Sequence, residues 1–244
     1  MTHQNKINTE YAVEAKNLVK SFGDGDTLLT VLKGLDFNVK PGEFVAITGR
    51  SGSGKSTLMY QLGLLDNPTS GQVIIEGQHT SHLSSQEKTN FRLNELGYVF
   101  QDYALVPELT AIENVLVPLL MQGLDKFSAQ AKSIVALERV GLKDRLHNLP
   151  SQLSGGEQQR VSIARAIAHE PKIIFADEPT ANLDTETAKV VLDTFLSLHS
   201  EGQTIIMVTH EPEYAELADR VVILSDGLIT SDRRGHGKKH HSVW

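Results

Sequence analysis

The sequence contains no cysteine. This absence excludes disulfide bonds and thiolate metal sites, and it suits a protein of a reducing compartment. Long apolar runs are also missing: the best candidate, Val115 to Met121, contains Pro118 and falls far short of the ~20 residues of a membrane-spanning helix. The N-terminal segment from Met1 to Lys6 lacks the apolar core of a signal peptide. We therefore expect a soluble protein that works at a membrane only if another chain brings it there.

Basic residues are also fewer than acidic residues. The chain has 23 Lys and Arg against 30 Asp and Glu, a formal net charge of −7, and this balance argues against a surface that binds nucleic acid. Its 244 residues, 40% of them hydrophobic, are enough to bury a large core. The composition fits one α/β domain or a domain with a subdomain, and no nucleic-acid partner is expected.

Apolar runs of strand length occur in the first third of the chain and return in its last third. They are Tyr11–Val13, Leu28–Leu32, Leu35–Val39, Glu43–Thr48, Gln72–Glu76, Ile173–Ala176, Thr204–Thr209 and Val221–Leu224. Between about residues 102 and 168 the apolar spacing is helical. A further amphipathic helix is predicted before the Thr204 run, with an inner face made of Ala188, Val191, Leu192, Phe195 and Leu198. This order predicts an α/β core with a helical insert.

A glycine-rich segment lies between the predicted strand Glu43–Thr48 and a helical run from Lys55 to Leu65. It reads Gly49, Arg50, Ser51, Gly52, Ser53, Gly54, Lys55, Ser56 and Thr57. A strand, a glycine-rich turn and a helix form the phosphate-binding P-loop, in which backbone N–H groups point at a polyphosphate. Lys55 is then placed to reach the β- and γ-phosphates, and the Ser56 hydroxyl is a typical Mg²⁺ ligand. The alternative is a glycine loop that binds nothing, which the flanking strand and helix disfavour. The segment predicts a nucleoside triphosphate site.

Two adjacent carboxylates, Asp177 and Glu178, follow the apolar run that begins at Lys172. The C-terminal ends of parallel strands open onto the ligand crevice of a sheet. Asp177 suits the role of holding Mg²⁺, and Glu178 would polarise the water that attacks the γ-phosphate. Paired carboxylates at a strand end are often only solvated, but their position downstream of a P-loop favours a catalytic role.

A third motif, Leu153-Ser154-Gly155-Gly156-Glu157-Gln158-Gln159-Arg160, runs into a predicted helix, Val161–Ala168. Ser154 can cap that helix, while Gly155 and Gly156 leave its first amides open to a phosphate. A well-capped structural helix is the alternative. The full string is similar to the signature of ATP-binding-cassette (ABC) ATPases, and from about Ala12 to Ile229 the chain resembles the nucleotide-binding subunit of an ABC transporter.

This resemblance implies a fold and its boundaries. The expected fold is α/β: a P-loop NTPase core with a mixed, largely parallel sheet, an antiparallel β subdomain, and a helical signature subdomain at about residues 102–168. One ATPase domain would span residues 8–230, followed by a polar, disordered tail at residues 231–244. Histidines 236, 240 and 241 of the tail could bind a metal adventitiously, but a frayed terminus is the favoured interpretation.

The resemblance also implies roles for single residues. Phe22 lies where the family has an aromatic residue that stacks on adenine, with an ordinary core phenylalanine as the alternative. Gln101 resembles the Q-loop glutamine, which contacts Mg²⁺ and water. Asp184 ends a segment similar to the D-loop, in which the role of Asn182 stays open. His210 resembles the switch histidine that contacts the γ-phosphate.

In this family two cassettes stack head to tail around two ATP–Mg²⁺. Ser154, Gly155 and Gly156 of one subunit then cover the ATP held by the P-loop of the other, and the D-loop Asp184 crosses between subunits. The resemblance thus implies a homodimer whose catalysis is mainly positioning and charge stabilisation. The implied catalytic residues are Lys55, Gln101, Glu178 and His210.

Less specific sequence similarities indicate the kind of transport system. The segments Asp102–Val115 and Asp177–Asp184 are similar to cassettes that serve lipoprotein release, macrolide export and antimicrobial-peptide export, and importer cassettes often carry an extra regulatory domain after the core. This implies a peripheral subunit at the cytoplasmic face of the inner membrane, docked to a transmembrane permease subunit through Tyr103, Leu105 and Val106. A cell-division-type regulator that gates a membrane partner without transport is the alternative. A translation or DNA-repair cassette is disfavoured, because those proteins usually carry two cassettes or a long coiled-coil insertion.

Overall fold

Ten strands and seven α-helices occur in residues 10–237, the part of the chain that the computed structural model describes. The strands are β1 (Val13–Phe22), β2 (Leu29–Val39), β3 (Phe44–Thr48), β4 (Ser70–Ile75), β5 (Gln78–His79), β6 (Leu96–Val99), β7 (Ile173–Asp177), β8 (Thr204–Val208), β9 (Arg220–Ser225) and β10 (Leu228–Arg234). The α-helices are α1 (Lys55–Leu62), α2 (Ser85–Glu95), α3 (Ala111–Met121), α4 (Lys126–Arg139), α5 (Gly155–Ile167), α6 (Thr185–Ser200) and α7 (Pro212–Ala215).

The central sheet has six strands in the order β10-β9-β3-β8-β7-β6. Five of them are parallel, and only β10 runs antiparallel to its neighbour. Strands β7 and β8 are buried along their whole length, which explains their continuous apolar sequences. Because β3, β7 and β8 point the same way, the segments that follow them meet at one edge of the sheet.

Each face of this sheet carries its own core. Along β3, Phe44 and Ala46 belong to the cluster formed with α3 to α6, whereas Val45 and Ile47 belong to the cluster formed with α1 and the antiparallel strands. The alternation follows from the two-residue period of a strand. The helices α3, α4 and α5 lie within the segment that was predicted to be helical, and they share a core with the sheet. These features confirm the predicted α/β fold class.

A second, antiparallel sheet has the order β2-β1-β4-β5. The expected strand Tyr11–Val13 is wrong in extent, since β1 continues to Phe22. The pairing of β1 with β2 and β4 is irregular between Ala15 and Val19, and Asn17 has a left-handed φ of 46°. These bulges break the alternation of apolar and polar residues by which a strand is recognised.

Helix α2 was also absent from the expectations. It has no buried residue, so its sequence carries no apolar period. A capping box marks its start instead: the N–H of Ser84 donates to Glu87 Oε2 at 2.8 Å, and the N–H of Glu87 donates to Ser84 Oγ at 3.3 Å. Local capping therefore defines a helix here that hydrophobic patterning misses.

The C-terminal segment differs from the expected disordered tail at residues 231–244. Strand β10 extends to Arg234, and Asp232 pairs with Arg220 of β9 at 2.6 Å. Beyond the strand, the N–H of Gly235 donates to Asp219 O at 2.9 Å. Most residues of this edge strand are exposed and polar, so its composition is like that of a disordered tail. The prediction of disorder from composition is therefore wrong for residues 231–234. The rest of the tail, residues 238–244, lies outside the described residues.

Candidate nucleotide-binding and hydrolysis site

The glycine-rich segment connects the end of β3 to the start of α1. A Cβ atom at Gly49 would lie 2.1 Å from the carbonyl oxygen of Leu224 on β9, so only glycine fits there. Gly52 and Gly54 have φ values of 77° and 100°, in the left-handed region. The loop therefore has the tight, glycine-dependent geometry of a P-loop, and it leads into the N-terminus of a helix.

Lys55 is buried at the first position of α1. Its Nζ donates to the carbonyl oxygens of Gly49 at 3.0 Å and Arg50 at 3.1 Å. Both acceptors are neutral groups of the loop itself, so they orient the ammonium without cancelling its charge. Beside them, the buried Ser53 Oγ has no hydrogen-bond partner among residues 10–237. The loop thus combines a buried ammonium group with a buried hydroxyl that has no hydrogen-bond partner among the described residues. A site for anions needs groups of both kinds.

Asp177 is buried at the end of β7 and receives two hydrogen bonds from α1. The Ser56 hydroxyl donates to Oδ1 at 3.0 Å, and the Tyr60 hydroxyl donates to Oδ2 at 3.0 Å. Burial raises the pKa of Asp177, and the hydrogen bonds from Tyr60 and Ser56 oppose that rise. Burial and the charge of Asp177 raise the pKa of Tyr60 to about 12, so its phenol keeps the proton that it donates.

A hydroxyl and a carboxylate oxygen 3.0 Å apart beside a phosphate-binding loop fit a divalent cation. Mg²⁺ prefers such hard oxygen ligands, and it usually binds through one or two protein groups together with substrate phosphates. Ser56 and Asp177 therefore suit the metal role predicted for them.

Glu178 and His210 are in direct contact. They follow the neighbouring strands β7 and β8, and His210 Nδ1 lies 2.7 Å from Glu178 Oε2. The backbone N–H of His210 donates to the same oxygen at 3.3 Å, and Glu178 N–H donates to Val208 O at 2.9 Å. Glu178 also has a left-handed φ of 47°, a conformation that non-glycine residues adopt rarely and that clusters at active sites.

Gln101 is exposed in the loop after β6. Its backbone carbonyl accepts a hydrogen bond from Asn182 Nδ2 at 3.0 Å. The sequence left Asn182 without a role, and the structure gives it one: it ties the loop after β7 to the loop that carries Gln101.

The signature segment forms the N-terminus of α5. Ser154 caps the helix by accepting the N–H of Glu157 at 3.2 Å, and the Glu157 carboxylate accepts the N–H of Ser154 at 2.8 Å. A Cβ at Gly155 would lie 2.9 Å from the Tyr103 hydroxyl, and one at Gly156 would lie 2.1 Å from Thr187 Cγ2. A Cβ at Gly156 would therefore collide with the short Thr187 side chain of the same chain, whereas at Gly155 the nearest atom is the end of the Tyr103 side chain, which can shift.

Asp184 caps α6 within its own chain. Its Oδ1 accepts the N–H of Thr187 at 3.0 Å, and its Oδ2 accepts the Thr187 hydroxyl at 2.6 Å. Among residues 10–237, the hydrogen bonds of Ser154 also stay within its own first helical turn, and none reaches the P-loop. One chain thus brings Lys55, Ser56, Asp177 and the Glu178–His210 pair together, but it does not join the signature to them.

Phe22 ends β1 and is 46% exposed, which excludes the alternative of an ordinary core residue. Leu29, its register partner on β2, is exposed as well. The Lys20 ammonium lies 4.9 Å from the centroid of the Phe22 ring and pairs with Asp66 at 2.7 Å. This contact, which sequence reasoning missed, restrains the ring through a cation–π interaction.

Sequence reasoning also failed to identify two further residues of the site, Tyr60 and Arg165. Tyr60 is four residues after Ser56, so the helical period alone places both on one face of α1, and that signal could have identified it. Arg165 of α5 donates to the backbone carbonyls of Tyr103, at 2.9 Å, and Ala104. Tyr103 and Ala104 both have left-handed φ values, 62° and 47°, so Arg165 holds a strained turn just after Gln101.

Next to this turn lies an open groove of about 440 Å³. Its apolar lining includes Phe100, Ala104, Val117, Pro118 and Met121, and Arg92, Arg165 and His169 add polar groups. Of the three residues expected to form the docking surface, Leu105 is partly buried and packs against the core, whereas Val106 is 44% exposed. Val117 and Met121 of α3, which line the groove, are exposed apolar residues as well. In residues 10–237, no helix has the length and apolar character needed to cross a membrane.

The chain matches the ABC transporter family over residues 32–181. The lipoprotein-releasing system ATP-binding protein LolD of Aquifex aeolicus (strain VF5) is 51% identical over 202 residues, which cover 83% of this chain and 90% of that protein. The macrolide export ATP-binding/permease protein MacB of Bartonella henselae is 48% identical over 217 residues, 89% of this chain but 33% of that protein.

Among solved structures, a dimeric post-hydrolysis state of the ATP-binding cassette MJ0796, bound to ADP and Pi, is similar with a TM-score of 0.84 and 39% identity. The match covers 91% of this chain and 98% of that one. These similarities confirm the resemblance drawn from the P-loop and signature motifs. The chain belongs to the ABC transporter family, as an ATP-binding subunit with ATPase activity.

Proposed function

We propose that two copies of this chain hydrolyse ATP at shared sites and thereby drive export or membrane extraction of a substrate through a separate transmembrane subunit. The observation that carries the proposal is the convergence at one sheet edge of a buried lysine, a Ser56–Asp177 pair and a Glu178–His210 pair. These groups supply the charge, the metal ligands and the base that phosphoryl transfer to water needs.

The nucleotide would lie along the edge that these groups share. The Phe22 face suits the adenine, because any flat base can stack on an aromatic ring. The backbone amides from Gly49 to Thr57 and the Lys55 ammonium suit the phosphates. Ser56, Asp177 and Gln101 are the residues proposed to hold Mg²⁺, which when bound neutralises phosphate charge.

Glu178 acts on water in this proposal. One of its carboxylate oxygens accepts the hydrogen bonds of His210, which leaves the other free to accept a proton from the attacking water. His210 fixes the direction of that carboxylate and lies near the position of the γ-phosphate. The products are ADP and inorganic phosphate, and Lys55 stabilises the charge that develops during transfer.

The second half of each site would come from the partner copy. The amides of Gly155 and Gly156 begin α5 beside the exposed Ser154, and a helix N-terminus binds phosphate readily. We propose that Ser154, Gly155 and Gly156 close over the ATP of the other subunit, with Asp184 crossing at the interface. The dimeric state of similar cassettes supports homodimerisation.

The transmembrane subunit would dock in the groove beside Ala104. The LolD relative is named for a lipoprotein-releasing system, and the MacB relative is named as a combined ATP-binding and permease protein of macrolide export. The chain spans about a third of MacB, and we propose that a separate transmembrane subunit provides the permease function. Such docking would put this subunit at the cytoplasmic face of the cell membrane.

Dependence of the ATPase rate on protein concentration tests the shared site. If two chains build each site, the specific activity of the purified chain should fall on dilution below the dimer dissociation constant, and adding an ATPase-dead partner should change it. A specific activity that stays constant down to the lowest measurable concentration, with a monomeric mass in light scattering under the same conditions, would contradict the proposal.

A further inference from the structure

Helix α1 contacts both oxygens of the Asp177 carboxylate. Ser56 and Tyr60 are four residues apart and therefore lie on one face of the helix. Ser56 donates to Oδ1 and Tyr60 donates to Oδ2, each at 3.0 Å. Two donors from one rigid element leave the carboxylate little freedom to rotate about its terminal bond.

The position of the Tyr60 hydroxyl is itself fixed by packing. The ring is partly buried against the apolar cluster that includes Leu58, Leu62 and Phe175. Asp177 is buried as well, so water is a poor substitute for a missing donor there. The phenol thus provides a preset hydrogen bond that holds Oδ2, and the remaining oxygen, Oδ1, stays directed at Ser56.

We propose that Tyr60 is a positioning residue for Mg²⁺: its hydrogen bond to Oδ2 of Asp177 holds the carboxylate in the orientation that receives the ion. This inference rests on the proposed metal role of Ser56 and Asp177. Groups that orient a metal ligand through such a hydrogen bond typically change metal affinity about tenfold or more when they are removed.

The test is Tyr60→Phe, which removes one hydroxyl and keeps the ring. ATP hydrolysis by the purified full chain is measured against the free MgCl₂ concentration, and binding of a fluorescent ATP analogue is measured in MgCl₂ and in EDTA. We expect the half-saturating Mg²⁺ concentration to rise by about tenfold, with nucleotide affinity in EDTA unchanged.

Tyr98→Phe is the matched control. The Tyr98 hydroxyl donates to the carbonyl of Gly63 and not to Asp177, and its ring packs against the same apolar cluster. This variant also loses a phenol hydrogen bond, so it reports any general effect on the core. Its half-saturating Mg²⁺ concentration should stay at the wild-type value.

Two results would overturn the inference. One is a Tyr60→Phe protein with the wild-type Mg²⁺ dependence; the other is an equal loss of nucleotide affinity in MgCl₂ and in EDTA, which would assign Tyr60 to packing alone. Asp177→Asn separates this inference from the proposed function. If that variant kept the wild-type Mg²⁺ dependence, the metal site itself would be wrong, whatever Tyr60→Phe did.

Discussion

His210 Nδ1 lies 2.7 Å from Oε2 of Glu178, at the ends of two paired parallel strands. The backbone N–H of His210 donates to the same oxygen. Because strand pairing sets the spacing of the two residues, the imidazole can hold the carboxylate without the help of bound nucleotide. In the proposed mechanism, this relationship separates orientation of the carboxylate, assigned to His210, from proton acceptance, assigned to Glu178.

Glu178→Gln tests that separation. The glutamine keeps an oxygen that can accept from His210, but its amide does not accept a proton from water. We expect turnover to fall by about 10³-fold, the usual size of a lost general base, while ATP affinity is unchanged. Steady-state ATPase assays and binding of a fluorescent ATP analogue measure the two effects. The variant should also accumulate as an ATP-stabilised dimer in size-exclusion chromatography.

Lys55→Ala is the contrasting variant. It removes the buried ammonium beside Gly49 and Arg50, so nucleotide binding itself should weaken.

A Glu178→Gln protein that hydrolysed ATP at the wild-type rate would show that the base is a different residue.

Lys20 should contribute to binding of the adenine base. Its ammonium lies over the Phe22 ring and is anchored by Asp66. Lys20→Met removes a cation–π contact of about 0.5–1 kcal/mol, and the ring then becomes freer to turn. We expect ATP to bind about 2- to 5-fold more weakly, while inorganic tripolyphosphate, which has no base, binds as before. Displacement of a fluorescent nucleotide measures both ligands.

Lys16→Met is its control on the same strand. Lys16 is an exposed residue that pairs with Glu14 at 3.1 Å and makes no ring contact with Phe22. An equal loss of ATP affinity in both variants would attribute the effect to net charge instead of to the ring.

The groove should carry the contact with the membrane partner. Val117 and Met121 line it and are exposed, so aspartate at these positions leaves the core intact but puts charge into the proposed interface. Loss of two apolar contacts of about 1.5 kcal/mol each predicts at least ~100-fold weaker association. Co-sedimentation with membranes that contain the permease measures it, and ATP binding by the isolated variant verifies the fold.

Phe127→Asp is the control for surface charge. Phe127 is the second residue of α4, is 83% exposed and is not among the residues that line the groove. A double variant of Val117 and Met121 that still sedimented like Phe127→Asp would contradict docking in the groove.

Local motifs explain why so much of the site could be predicted from the sequence. The P-loop and the Asp177–Glu178 pair each lie at the end of a short apolar strand, so the residues that bind and the element that positions them are neighbours along the chain. The Tyr60 contact with Asp177 joins residues 117 positions apart. Only the helical spacing from Ser56 hinted at it.

Surface properties were harder to predict because they depend on tertiary packing. Leu105 and Met121 are both apolar in sequence, but Leu105 packs against the core and Met121 is 66% exposed. Strand β1 was truncated in the prediction because Asn17 interrupts its alternation. For Leu105 the packing of distant elements determines burial, and for β1 the pairing with β2 continues past the interruption in the local pattern.

Shared sites can be tested with mixed dimers of two inactive variants. Lys55→Ala damages the P-loop of its own chain. Ser154→Asp should damage the signature, because in the proposed dimer it puts a negative charge opposite the γ-phosphate of the partner's ATP. Aspartate is an equally good N-cap, so α5 stays intact. Gly156 is less suitable, since a Cβ there would lie 2.1 Å from Thr187 within the same chain.

Each pure variant forms dimers in which both sites carry one defect, so both should be inactive. In a mixed dimer, one site combines Lys55→Ala with Ser154→Asp, and the other combines an intact P-loop with an intact signature. Equal mixing makes half of the dimers mixed, so roughly a quarter of the wild-type ATPase rate should return if one intact site turns over alone. Covalently linked mixed dimers, purified before assay, separate sharing from strict coupling of the two sites. One nucleotide trapped per mixed dimer, under conditions in which the linked Ser154→Asp dimer traps none, would establish a shared site even without turnover. No gain in rate and no trapped nucleotide would show that each chain builds its site alone.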